Sequence, residues 1–187
     1  MKITVKKITD LALMKEAFDS TVNFNTHITE KIAYMLEHSP IRTQEYLIRM
    51  EGIPSFVSTH FVRHKIGCEH FVFSNRDDRN NKKSNEGVNR LTPVTHTIKI
   101  NAEALISLSR KRLCLKSHKE TVKVMSLIKN EIKKISPNLA LFMVPDCVYR
   151  NGICKEGKNT CGKFAKIITK HDYYPLMYIK EIVKSIK

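Results

Sequence analysis

The sequence predicts an α/β fold in a single domain, residues 1–187. Three observations predict it. Val94, His96, Ile98 and Ile100 alternate with Thr95, Thr97 and Lys99, the period of a half-buried strand. Met125, Ile128, Ile132 and Ile135 recur at helical spacing, a stripe that reads as core. A chain of 187 residues with 42% hydrophobic content can bury a real core.

Taken in order, Ile3 to Ile8 alternate as a first strand. Asp10 is placed to cap a helix carrying Leu11, Leu13, Met14 and Phe18. Thr29 to Glu37 reads as a second helix with Ile32, Ala33 and Leu36 on one face, and His38-Ser39-Pro40 ends it. The residue before a proline is pushed out of the α region. Glu45 to Met50 reads as a short extended segment, Gly52 and Pro54 punctuate, and Ser55 to Val62 forms a helix that delivers Arg63. Asp77 to Gly87 is the most polar stretch and reads as a loop. After the strand at Val94, one helix runs from about Ala102 to Cys114. The striped helix follows, closed by Ser136-Pro137. A cysteine-bearing loop spans Pro145 to Gly162, and a last helix follows Pro175.

The formal net charge is +15, from 33 Lys+Arg against 18 Asp+Glu. Such a balance draws in anions and can hold nucleic acid without sequence preference. No nucleic-acid-binding module is recognisable, so a basic nucleic-acid-binding protein is the weaker reading of that charge. Lys129, Lys133, Lys134, Lys184 and Lys187 fit solvated faces. No apolar run approaches the ~20 residues that span a bilayer, and Met1 to Lys7 carries no secretory apolar segment. The expectation is a cytoplasmic protein without a membrane partner. Five cysteines, an odd number, argue against a disulfide framework.

Two segments concentrate the chemistry. In Phe61 to Arg76, Arg63-His64-Lys65 precedes a short apolar run that ends at Ser74-Asn75-Arg76. Cations at both ends suggest a site for two anionic groups, because Arg forks match phosphate and carboxylate oxygens. A strand with solvated basic ends is the plain alternative. The second segment is Asn101-Ala102-Glu103-Ala104-Leu105-Ile106-Ser107, continuing to Arg110-Lys111-Arg112 and Ser117-His118-Lys119-Glu120. On a helix, Arg110, Lys111 and Arg112 stand about 100° apart, so at most two share a site.

The first segment resembles the Arg-His-Arg and Ser-x-Arg pattern of flavin-dependent thymidylate synthases (ThyX). The second resembles that family's Asn-Ala-Arg-Ser-Leu helix. The likeness runs from about His38 to Cys161. It implies a central sheet flanked by helices, and a homotetramer with FAD between subunits. It also implies reductive methylation of dUMP to dTMP with methylenetetrahydrofolate and NADPH. By the same resemblance Arg63, His64, Lys65, Ser39 and Asn101 would contact the flavin. Ser74, Arg76, His60 and Arg90 would contact the nucleotide, and Arg112 would meet its pyrimidine as the catalytic residue.

The chain departs from the pattern at several points. Lys65 keeps the charge but not the planar fork. Arg42 stands where the family has Glu, Glu103 where it has Arg, and Ser107 where it has Asn. The stretch from Arg76 to Asn101 is shorter than is usual. These departures motivate an alternative, a related flavin- and folate-dependent pyrimidine-nucleotide C5 hydroxymethylase. Cys114, Cys147, Cys154 and Cys161 form a separate set that could hold a structural zinc. Cys68, near the basic cluster, is a candidate nucleophile, since neighbouring cations favour a thiolate.

Overall fold

The structure, a computed structural model, describes residues 1–21, 29–73, 88–150 and 152–163. Its centre is a four-stranded antiparallel sheet in the order β1-β2-β4-β3. The strands are β1 (Lys2–Lys7), β2 (Glu45–Pro54), β3 (Cys68–Val72) and β4 (Pro93–Asn101). In the inner pair, Tyr46 faces Ile100, Ile48 faces Ile98 and Met50 faces His96. All six side chains are buried. A one-residue slip would turn the whole set out of the core, so the alternation pins the register. β2 is longer than the sequence suggests. Gly52, at φ 69°, sits where the β2–β4 register shifts between Met50 and Ile53, and the strand then resumes to Pro54.

Seven helices are described: α1 (Leu11–Asp19), α2 (Glu30–Leu36), α3 (Ser55–Val62), α4 (Ala102–Arg112), α5 (Lys119–Ile135), α6 (Pro137–Phe142) and α7 (Asp146–Tyr149). Tight 3₁₀ turns lie at Ser39–Thr43 and Gly157–Asn159. The starts follow from side-chain caps. The Asp10 carboxylate accepts from Ala12 N–H, the Thr29 hydroxyl from Ile32 N–H and the Asn101 amide oxygen from Ala104 N–H. Each satisfies a donor that the helix itself leaves unpaired. One core joins the inner face of the sheet to α1, α2 and α3–α7. The Tyr46 hydroxyl donates to Ser136 Oγ at 2.9 Å and fastens the sheet to the end of α5.

Several expectations need correction. Leu36 is exposed, and α2 buries Ala33 and Tyr34 instead. The α5 stripe is Thr121, Val124, Met125, Ile128 and Ile132, while Ile135 lies at the open end of the helix and is exposed. Pro137 does follow the end of α5, but it also opens α6, a first-turn position where its missing N–H costs nothing. The expected loop from Pro145 to Gly162 contains α7 and a 3₁₀ turn. Ser74, Arg76, the polar stretch 77–87 and the helix after Pro175 lie outside the described residues. Among the described residues no helix is long and apolar enough to cross a membrane.

Candidate active site

The end of α3, the end of α4 and the start of α5 meet around His60. The Arg112 guanidinium donates to the His60 carbonyl oxygen at 2.6 Å. The His60 ring shares a hydrogen bond of 2.8 Å with Thr121 Oγ1 on α5. Phe56, one turn earlier on α3, meets His60 edge-on at 5.7 Å and His118, the cap residue of α5, at 4.5 Å. The Arg90 guanidinium lies 5.3 Å from the Phe56 ring centre, and the Arg90 carbonyl accepts from Phe56 N–H. Six residues from α3, α4, the start of α5 and the segment before β4 therefore form one cationic wall.

Electrostatics follow from that crowding. Burial lowers the His60 pKa, and Arg112, Arg63, His118 and Arg90 lower it further. Burial, and then Arg63, also lower the Arg112 pKa, although a guanidinium stays charged at any physiological pH. A neutral His60 beside three guanidiniums leaves the net charge to the arginines, and an anion is what such a wall attracts. Arg112 is half-buried, and its Nε has no hydrogen-bond partner among the described residues.

His64 sits at the turn after α3. Its N–H donates to Phe61 O at 2.9 Å, and its carbonyl accepts from the His70 ring at 2.6 Å. Burial first, then Arg112, Lys111 and His70, push its pKa down to about 4, so the ring is neutral at pH 7. Its Nε2 is buried with no partner among the described residues. A buried, neutral, unpartnered ring nitrogen beside an unpartnered guanidinium N–H has a hydrogen bond to give or receive. Arg63 and Lys65 on either side are exposed.

Gly67 closes this corner. Its φ is 68°, and a Cβ there would stand 2.6 Å from Asn101 Nδ2 and 2.9 Å from the Ala104 Cβ. Asn101 N–H donates to the Gly67 carbonyl at 3.0 Å. The Asn101 side-chain oxygen is engaged as the α4 cap, so this residue holds the Lys65–Gly67 turn against α4. Cys68, the next residue, is a protonated thiol: burial raises its pKa to about 11. That overturns its reading as a thiolate nucleophile, because burial outweighs the nearby cations.

Ser39 is exposed at the first position of its 3₁₀ turn. Arg42, in the same turn, makes a two-pronged ion pair with Glu103 of α4, Nε to Oε2 at 2.5 Å and a terminal nitrogen to Oε1 at 3.1 Å. The two departures from the family pattern thus compensate one another. Arg110 turns away from Arg112, pairs with Glu37 and covers the Tyr149 ring at 3.5 Å. A cavity of about 440 Å³ lies on that side of α4, lined by Cys114, Cys147 and Cys154. Burial and then the neighbouring Cys154, Cys114 and Cys161 raise the Cys147 pKa. Among the described residues no three His, Cys, Asp or Glu side chains stand where they could hold a metal ion.

The structure places Arg63, His64, His60, Arg90 and Arg112, which the resemblance divides between flavin and nucleotide, near one another. The sequence reading passed over Phe56, Thr121 and His118, although His118 lay inside a quoted motif. It also gave no role to His70 or His96.

No family model matches the chain. Over 68 residues it is 37% identical to a flavin-dependent thymidylate synthase of Clostridium tetani (strain Massachusetts / E88). That stretch is 36% of this chain and 26% of the clostridial protein. Among solved structures, thymidylate synthase X (ThyX) of Helicobacter pylori complexed with FAD and dUMP superposes with a TM-score of 0.61 at 12% identity. The match covers 77% of this chain and 100% of that one. A UMP/dUMP methylase, PolB, of Streptomyces cacaoi bound with 5-Br dUMP gives 0.53 at 15% identity, covering 75% and 94%. The chain thus shares the fold of these proteins, and its matched stretch spans about a quarter of the length of the clostridial flavin-dependent thymidylate synthase.

Proposed function

We propose that the protein is a flavin-dependent thymidylate synthase that converts dUMP to dTMP. The observation that carries this is the paired deficit at the His60 wall: His64 Nε2 and Arg112 Nε are both buried without partners among the described residues. They sit beside the exposed cations Arg63 and Arg90. A site with unspent buried hydrogen bonds and excess positive charge fits a planar, hydrogen-bonding, phosphate-bearing ligand. In this reading Arg63, His64 and Lys65 hold the flavin, with Ser39 at its edge and Asn101 fixing the turn. Arg90, His60 and Arg112 face the nucleotide, with Ser74 and Arg76 as its phosphate contacts.

When bound, reduced FAD supplies the hydride, with methylenetetrahydrofolate as one-carbon donor and NADPH as reductant. The chain's own work is positioning and charge. The Arg112 guanidinium, anchored by the His60 carbonyl, would stabilise the negative charge that collects on a uracil carbonyl as C5 becomes nucleophilic. Neutral His60 adds no repulsion to the arginines and keeps Phe56 and His118 packed behind them. The same reading includes a cytoplasmic homotetramer. A structural zinc on Cys114, Cys147, Cys154 and Cys161 is a separate proposal: the first three line one cavity, Cys161 lies near enough to act on the Cys147 thiol, and all four thiols would have to draw together to hold the ion. Metal analysis decides it: close to one zinc per chain upholds it, and none rejects it.

The deciding experiment is an absorption spectrum of the purified protein with FAD and then dUMP, followed by product analysis. Flavin bands that shift on adding nucleotide, with dTMP formed, are expected. A hydroxymethylated product would reassign the chemistry. Absence of flavin binding would reject the reading.

A further inference from the structure

A chain of hydrogen bonds runs behind the candidate site, through residues to which neither the family resemblance nor the proposed mechanism gives a role. Ser58 Oγ on α3 lies 3.0 Å from His96 Nδ1 on β4. His96 Nε2 lies 3.0 Å from His70 Nδ1 on β3. His70 Nε2 lies 2.6 Å from the His64 carbonyl oxygen. Ser58 and His96 are buried and His70 is half-buried. Two histidines and a serine on three different elements thus converge on one backbone carbonyl.

With His70 neutral, the protons in this chain have one consistent order. A carbonyl oxygen only accepts, so His70 Nε2 carries a proton. A neutral His70 then offers a bare Nδ1, and His96 must donate to it from Nε2. That leaves His96 Nδ1 bare, and it accepts from the Ser58 hydroxyl. Burial, with His70 beside it, holds the His96 pKa down at about 4, which agrees with a neutral ring. Each ring nitrogen has one partner, and each donor meets an acceptor.

We propose that His70, oriented by His96 and Ser58, is a positioning residue that fixes the His64 peptide and so aims the Arg63-His64-Lys65 corner at its ligand. The His64 backbone is tied at both ends, N–H to Phe61 O and C=O to His70. Its ring nitrogen is left buried and unpartnered. Holding a binding side chain through backbone anchors on rigid elements lowers the ordering cost of ligand capture. The ligand assignment rests on the flavin reading above; the hydrogen-bond order does not.

Two substitutions cut the chain at different links. A glutamine amide reaches about as far as His Nε2, so His70→Gln keeps the donor to the His64 carbonyl and loses the link to His96. An asparagine amide reaches only as far as His Nδ1, so His70→Asn keeps the His96 link and loses the His64 one. We expect His70→Gln to bind FAD within about threefold of the unmodified protein and His70→Asn to bind about tenfold or more weakly, one lost anchoring hydrogen bond. Flavin fluorescence titration reads both, with thermal midpoints measured alongside. Equal FAD affinities in the two variants would overturn the proposal, whatever their stabilities.

The second measurement needs no variant and no flavin. Nitrogen-15 spectra of histidine-labelled protein at neutral pH should show His70 and His96 both as the Nε2–H tautomer. An Nδ1–H tautomer on either ring would overturn the relay. If the unmodified protein binds no FAD, the flavin reading fails, and the tautomers alone then judge the relay.

Discussion

At the residue scale, Arg112 is the side chain whose chemistry cannot be replaced by charge alone. A terminal nitrogen is committed to the His60 carbonyl, and its buried Nε has no partner among the described residues. Lysine would keep a positive charge but not the planar fork that holds the His60 carbonyl and a pyrimidine oxygen in one fixed geometry. Arg112→Lys should therefore lower dTMP formation about 10²-fold or more while leaving FAD affinity within a few fold. Parallel measurement of turnover and flavin binding checks this. Equal losses in both would move Arg112 from the nucleotide to the flavin.

The two buried histidines make a second residue-scale prediction. His64 and His96 both fall from the usual 6.5 to about 4 in the folded chain. Between those values the unfolded chain binds protons that the folded chain refuses, so stability is full above about pH 6.5 and declines as pH falls toward 4. Calorimetry across that range should show a falling midpoint, with a shallower slope in His96→Gln, which has one less histidine to charge.

At the element scale, the turn between α3 and β3 depends on Gly67. Any side chain there meets Asn101 and Ala104 and must also adopt φ 68°. Gly67→Ala should cost about 1–3 kcal/mol and displace the start of α4. Chemical denaturation measures the first, and FAD titration registers the second through the Arg63-His64-Lys65 corner. The pairing of Arg42 with Glu103 suggests another test. Arg42→Glu or Glu103→Arg alone should lower the thermal midpoint, and the double exchange should restore it, because the pair is reciprocal.

Element by element, what could be read in the sequence was whatever local periodicity and capping determine. The β4 alternation, the Asp10 cap and the α3 helix leading into Arg63 stand as read, while the Thr29 and Asn101 caps emerge only in the structure. Tertiary context decided the rest. Leu36 and Ile135 fit an apolar face by spacing, but each lies at a helix end that the described residues leave exposed. β3 is only five residues long and alternates poorly, so its pairing with β4 had no local signal. The site was legible as a list of cations because motif spacing places Arg63 and Arg112 in sequence. The His70–His96 contact was not, because it exists only through the β3–β4 register, which puts Val72 opposite His96 and His70 opposite Ile98.

At the scale of the whole molecule, the sheet has an edge that a monomer handles poorly. β3 is the last strand of the order β1-β2-β4-β3, so among the described residues one side of it has no strand partner. Around it Ile66 is 92% exposed, Phe71 56%, Phe73 58% and Leu91 65%. An open strand edge lined with large apolar side chains is a surface for another chain, and natural proteins cover or charge such edges. This cluster adjoins the Arg63-His64-Lys65 turn, so whatever covers it also borders the candidate site. A second copy of the chain fits the proposed homotetramer with flavin between subunits. Light scattering should then give a mass near four times 21.6 kDa for the unmodified protein. Phe71→Lys should shift that mass downward and weaken FAD binding together, with the secondary structure unchanged by circular dichroism. If Phe71→Lys leaves the mass intact, β3 lies outside the subunit interface. If it dissociates the assembly without touching FAD affinity, the flavin is held within one chain, and the cationic wall around His60 must bind it alone.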